Sequence, residues 1–191
     1  MVNKLIIGIS AWASSGKDTL CSFIINHPQL SNFKIKRFAL ADALKLDINP
    51  FLISHCGIDI FNCTHEEKSI ARPLLVAYGR AKRMQTGGTY WTSKLSALLE
   101  ISEFDIGIIT DCRYDHYLKD ELFWLRSFSN NLLVHIQREG IQPPNEDEAL
   151  NDPKIRAVAD VRLLVPNVQN LNDLSQYYSP AIAAIKNKLN A

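Results

Sequence analysis

The sequence predicts an α/β protein of three layers, α/β/α, around a central and mostly parallel five-stranded sheet. Three observations carry that expectation. Near-continuous apolar runs at Leu5–Ile9, Ile106–Thr110, Leu132–Ile136 and Val161–Val165 suit strands covered on both faces, and Phe33–Leu40 reads as a fifth. Helical patterns separate these runs, and alternation of strand and helix is what crossovers in a parallel sheet need. The third observation is the loop that joins the first run to the first helical pattern.

That loop reads Ser10-Ala11-Trp12-Ala13-Ser14-Ser15-Gly16-Lys17-Asp18-Thr19. Between a strand and a helix, such a turn aims successive backbone N–H groups at phosphate oxygens. The positive end of the helix lies beneath them and a lysine reaches the terminal phosphates. Ala13, Ser14, Ser15, Gly16, Lys17, Asp18 and Thr19 are therefore the candidates for holding a nucleotide's phosphates. The match to the P-loop pattern G-x-x-x-x-G-K-[ST] is imperfect, because Ala11 stands at the first glycine and Asp18 at the hydroxyl position. Alanine is tolerated there if its φ stays negative. Asp18 can still serve magnesium, as a carboxylate is a hard oxygen ligand. The simpler alternative, a Ser/Gly-rich turn without a ligand, fits the strand–loop–helix setting less well.

A chain of 191 residues with an apolar fraction of 47% is long enough for one buried core, so one domain spanning residues 1–191 is expected. Twenty-one Lys and Arg balance twenty Asp and Glu, which leaves no broad positive field for a nucleic-acid backbone. Cys21, Cys56, Cys63 and Cys112 have no C-x-x-C spacing and are expected as reduced thiols. The apolar run after Lys4 is too short for a signal peptide, and no stretch approaches the roughly 20 residues of a membrane span. A cytoplasmic location follows as the expectation.

The helix after Lys17 places Leu20, Phe23 and Ile24 on one side and stops near His27-Pro28. After the second strand, Asp42 is expected to cap a short helix that Pro50 ends. Residues 50–65 show no period, and His55-Cys56 and Cys63-x-His65 fit no familiar zinc spacing. Thr64-x-x-Glu67 has capping-box spacing and opens a helix that Pro73 restarts or kinks and Gly79 closes. Trp91, Leu95, Leu98 and Leu99 mark the next helix, so residues 41–103 form a mostly helical insert. Leu118, Leu122 and Leu125 stripe a further helix. Polar residues 138–156, rich in proline and acid, are a candidate lid or a plain surface loop. Leu171, Leu174 and Tyr178, then Ile182, Ile185 and Leu189, form a terminal helix broken at Ser179-Pro180.

In open parallel sheets, ligands bind beyond the carboxyl ends of the strands, where the loop, Asp42, Asp111 and Arg138 all fall. Asp111 has a structural alternative as a helix cap or a partner for Arg113. Arg72, Arg80 and Arg83 read either as a solvated helix face or, together, as a binding site for a second phosphorylated ligand. Trp91 reads either as core or as a stacking surface for a base.

The loop with Ser-Gly-Lys-Asp-Thr is followed by Phe38-Ala39-x-x-Asp42-x-Leu44-Lys45 and by Arg72-x-x-Leu75 with Gly79 and Trp91. Then come Asp111-x-Arg113-Tyr114-Asp115-His116 and Asp160 before a strand ending in Asn167. In that order and spacing, over nearly the whole chain, the sequence resembles the deoxynucleoside monophosphate kinases of tailed phages. The resemblance implies a P-loop nucleoside monophosphate kinase fold, with ATP and Mg2+ as cofactors and a (deoxy)nucleoside monophosphate as acceptor. Gly16, Lys17, Asp18 and Thr19 would then hold the ATP phosphates and magnesium, with Asp111 as a second candidate metal ligand. Asp42, Lys45, Arg72 and Arg113 would face the acceptor, joined by Arg83 and Trp91. Lys17, Arg113, Asp111 and Arg138 would act on the travelling phosphoryl group. Small-molecule nucleotides are the expected partners and a homodimer the assembly to consider, without nucleic acid or membrane.

The sequence departs from the family at Ala11, at Tyr117, where a glutamate is usual, and in a shorter helical insert. A P-loop kinase of another small molecule, of the dephospho-coenzyme A or phosphomevalonate type, and a nucleotide-binding protein without turnover stand as alternatives.

Overall fold

The computed structural model describes residues 4–167 and 174–190. Five strands, β1 (Leu5–Ser10), β2 (Ile35–Phe38), β3 (Ile106–Ile109), β4 (Asn131–Arg138) and β5 (Val161–Val165), form one sheet. Every pair in it is parallel, and the order is β2-β3-β1-β4-β5. β1 lies at the centre because Leu5 to Ser10 are all buried and can pair on both edges.

Helices cover both faces. α1 (Lys17–Ile25) and α7 (Ser175–Leu189) pack Leu20, Ile24, Tyr178, Ile182 and Ile185 on one face of the sheet. On the other, α4 (Thr89–Ile101) and α5 (Glu121–Arg126) contribute Trp91, Leu95, Leu99, Trp124 and Leu125. The remaining helices are α2 (Leu40–Cys56), α3 (His65–Thr86) and α6 (Glu146–Val158). α2 and α3 share a small core of their own, with Ile48, Leu52 and Ala71 buried.

At Pro50, where a helix end was expected, and at Ser179-Pro180, where a break was expected, the helices continue. Pro50, Pro73, Pro153 and Pro180 all lie inside helices, and all four are solvent-exposed. Each removes one N–H from the helical ladder, and an exposed carbonyl left without it can bond water instead. Apolar packing on the opposite side then carries the helix through. So α2 runs on past Pro50 to Gly57, whose φ is 68°, and α7 is unbroken from Ser175. The part of the terminal helix assigned to Leu171 lies outside the described residues.

Gly79 does not end α3 either. It is buried within the helix beside Leu44, and its carbonyl accepts the Trp91 indole N–H at 3.2 Å. Gly87, with φ 60°, closes the helix instead. The Thr64–Glu67 capping box forms as the spacing predicts, with Glu67 N donating to Thr64 Oγ1 at 3.2 Å and Thr64 N to Glu67 Oε2 at 2.7 Å. Leu118, assigned to a helical stripe, is almost fully exposed ahead of α5.

Candidate active site

Residues 11–16 turn at the carboxyl end of β1, and α1 begins at Lys17. Gly16 takes φ 94° and Ser14 φ 65°, the one positive φ outside glycine among the described residues. A left-handed residue directly before a helix turns the loop's N–H groups to one side, which is the geometry a phosphate needs. Ala11 is buried, and its carbonyl accepts from Lys17 Nζ at 3.1 Å. The Trp12 carbonyl accepts from the same nitrogen at 2.6 Å. Burial first, and the Arg113 charge second, pull the Lys17 ammonium down to about 8.

Two arrangements flank this loop, one on each side of β1. On the β3–β2 side is a cavity of about 180 Å3, shaped by Leu40, Leu44, Leu75 and Trp91, with Arg72, Arg83 and Arg113 at its wall. Asp111 enters as a cap for α2, whose own N-cap residue, Ala39, offers no side chain. Leu40 N and Ala41 N donate to its two carboxylate oxygens, each at 2.8 Å. Burial pushes the Asp111 carboxyl above its ordinary range, and those two N–H groups oppose the rise.

The segment that carries Arg113 is held by two acids at the start of α5, its N-cap Asp120 and its first residue Glu121. Glu121 Oε2 accepts from Arg113 N at 2.6 Å and Tyr114 N at 3.1 Å, and Asp120 Oδ2 accepts from His116 N at 3.0 Å. Asp120 also pairs with Arg83, whose guanidinium lies 3.7 Å from the Tyr114 ring centre. Burial drives the Glu121 carboxyl up to about 8 against the Arg83 charge.

On the β4–β5 side, Arg138 ends β4 and donates to Asn167 Oδ1 at 3.2 Å beyond the end of β5. It lies close enough to Tyr178 to act on its hydroxyl, which itself sits beside Gly16. Arg138 thus borders the loop from the side away from the cavity.

Of the residues the sequence singles out for an acceptor, Arg72, Arg83, Trp91 and Arg113 meet in the cavity. Asp42 and Lys45 do not. The first turn of α2 presents Leu40, Ala41 and Leu44 to the cavity, which turns Asp42 and Lys45 outward. There Asp42 bonds Arg37 and Lys45, both at 3.1 Å, beside a separate groove along β2. The sequence expectation also passed over Glu121, Tyr114 and Glu148. Asn145-x-x-Glu148 has N-cap spacing, so α6 and its buried Glu148 were detectable there, and Glu148 N does donate to Asn145 Oδ1 at 2.8 Å.

These residues fit a nucleoside triphosphate. Buried side-chain atoms without a hydrogen-bond partner include Trp12 Nε1, Ser15 Oγ and Tyr178 Oη at the loop, and Arg113 Nε and Glu148 Oε2 beside it. Buried polar atoms are rarely left unpaired, so a cluster of them marks where a polar ligand fits. Asp18 is exposed in the first turn of α1, free to meet a phosphate-bound magnesium. Among the described residues no group of three or more His, Cys, Asp or Glu could hold a metal alone.

An all-parallel sheet in this order, with a Gly-Lys loop between its central strand and first helix, is a P-loop nucleotide-binding fold. No protein-family model matches the chain, nor does any curated protein. Among solved structures, a gluconokinase from Sinorhizobium meliloti 1021 is similar at 13% identity, over 99% of this chain and 96% of that one, with a TM-score of 0.45. A plasmid partition protein from Borrelia burgdorferi B31 bound to AMPPNP is similar at 13% identity, over 98% and 100%, with a TM-score of 0.38. At that distance neither bears on function. Among the described residues no helix is long and apolar enough to cross a membrane.

Proposed function

We propose that this protein is a kinase that moves the γ-phosphoryl group of ATP to a (deoxy)nucleoside monophosphate. One observation carries the reading: a cavity that holds Arg72, Arg83 and Arg113 and an apolar wall with Trp91 is joined to the start of the phosphate loop through Arg113 and Glu148, which also meet Ala11 and Trp12. Arginines suit an acceptor that is already a phosphate, and the apolar wall suits a base and sugar.

An acceptor phosphate needs no strong base, since it is an anion near neutral pH. The work is alignment and neutralisation of charge. Lys17 would turn from the Ala11 and Trp12 carbonyls to the terminal phosphates. Arg113, pinned by Glu121 through its backbone N–H, would draw the acceptor phosphate toward the loop from the cavity side. Asp18 and Thr19 would hold Mg2+, which when bound neutralises phosphate charge.

The test is ADP release with each deoxynucleoside and ribonucleoside monophosphate in turn. Activity with at least one deoxynucleotide is expected, with a loss of at least about 100-fold in Lys17→Ala. A second reading, nucleotide binding without turnover, draws on the side chains that close the gap between Ala11-Trp12 and the arginine cavity. ATP binding with no acceptor-dependent ADP release would favour it.

A further inference from the structure

Helix α6 is seated on the site mostly by polar groups. Its buried face consists of Glu148, Asn151, Asp152 and Ile155, of which only the last is apolar. Asp152 Oδ1 lies 2.8 Å from His135 Nε2, and Asn151 Oδ1 accepts from Asp115 N at 2.9 Å. Glu148 Oε1 accepts from Arg113 Nη1 at 3.0 Å and from Asn145 Nδ2 at 3.4 Å. Its other oxygen, Oε2, is buried with no hydrogen-bond partner, and so is Arg113 Nε.

The place of that carboxylate matters. Glu148 lines the arginine cavity and also the small gap at the end of β1 and the start of the loop, where Ala11, Trp12, Arg113 and Asp152 close around it and leave no room for a water. It acts electrostatically on Lys17 as well as on Arg113. On the proposed reading, a phosphoryl group passes between loop and cavity by way of this gap, because Arg113 and Glu148 line both the gap and the cavity. Carboxylate and phosphate both suit the guanidinium fork, and two anions do not share one buried place.

We infer that Glu148 is a resident anion at the transfer position and that α6 is a gate: a phosphate arriving at Arg113 displaces Glu148 and lifts the helix's N-terminal turns. The inference rests on the reading that Arg113 receives a phosphate. The polar seating suits the motion, because water can satisfy Asn151, Asp152 and Glu148 once they leave, while only Ile155 gives up apolar burial. Until a phosphate arrives, the closed gate keeps water from the transfer position.

Inorganic pyrophosphate is the probe, since its binding does not depend on any kinase activity. Glu148→Gln keeps the shape of the side chain and removes its charge, and should bind pyrophosphate at least tenfold more tightly than the wild type. Glu146→Gln removes the same charge from an exposed neighbour and should bind as the wild type does. In the wild type, saturating pyrophosphate should speed amide hydrogen exchange over residues 146–152, a readout that needs no variant to fold. Unchanged or weaker binding by Glu148→Gln, an equal gain in Glu146→Gln, absence of pyrophosphate binding, or slower exchange over 146–152 would each overturn the gate. Phosphorylation of a deoxynucleotide alongside any of these results would leave the kinase reading standing without it. Tighter binding and faster exchange without acceptor-dependent ADP release would keep the gate and remove the kinase.

Discussion

Glu121 and Lys17 are two buried titratable groups that burial drives toward their neutral forms, the carboxyl upward and the ammonium downward in pH. For Glu121 the folded carboxyl titrates near 8 against an ordinary 4.5, so between those values the folded chain holds a proton that the unfolded chain has released. That contribution to stability is present below about pH 4.5 and is lost as pH climbs to about 8. Glu121→Gln keeps an oxygen for the Arg113 and Tyr114 N–H groups and never ionises. Relative to this variant, the wild type should lose about 2 kcal/mol or more of stability between about pH 5 and pH 9, measured by denaturant unfolding. Curves that stay parallel would mean that the carboxylate is comfortable where it is. Lys17 has the reverse sign, since its folded value of about 8 lies below the ordinary 10.5. Polyphosphate favours the charged ammonium, so binding at about pH 9 should take up a proton, and binding at about pH 6.5 should not. Calorimetry in buffers of different ionisation enthalpy reads the difference. Lys17 could be picked out from the loop pattern alone, whereas Glu121 could not, because its burial depends on how α5 meets the segment after β3.

Among the elements, α2 shows how a site residue can also be structural. Asp111 stands where a metal ligand was expected, at the end of β3, and both its oxygens cap a helix that begins some 70 residues earlier in the chain. Asp111→Ala should cost about 1–3 kcal/mol of stability through two uncapped N–H groups. It should also raise the acceptor KM, as Leu40 and Leu44 shift with the helix. Asp111→Asn, which keeps one acceptor oxygen, should fall between the two. A fully stable Asp111→Ala would remove the cap from the account. The turn between α3 and α4 is equally constrained. Gly88 has φ 94°, and a Cβ there would lie 3.1 Å from Asp120 Cα. Gly88→Ala should therefore lower stability by more than about 1 kcal/mol and loosen the Arg83–Asp120 pair. Capping boxes and apolar stripes made most of these elements legible in the sequence. The exposed prolines concealed their lengths, because a proline's effect depends on whether water can replace the bond it removes, and exposure is a tertiary fact. That Asp42 and Lys45 lie off the cavity was hidden for a related reason: the first turn of α2 has two sides, and its sequence does not say which one faces the cavity.

Across the whole molecule, the sheet order sets the loop at its centre, with the arginine cavity past β3 and Arg138 past β4. Alternating strands and helices announced this arrangement, and the loop sequence marked its middle. Residues 138–156 read from the sequence as a candidate lid or a plain surface loop, but the contacts that bury α6 were not legible, since they come from Arg113 and His135 on other elements. On the proposed reading, a phosphoryl group crosses from the loop side to the cavity side. Phosphorus-31 NMR of ATP with Mg2+ and a deoxynucleoside monophosphate follows that crossing atom by atom. The γ-phosphorus should reappear as the terminal phosphate of a deoxynucleoside diphosphate, and should stay on ATP with Lys17→Ala. Its appearance as inorganic phosphate alone, or its remaining on ATP with every acceptor nucleotide supplied to the wild type, would contradict the account.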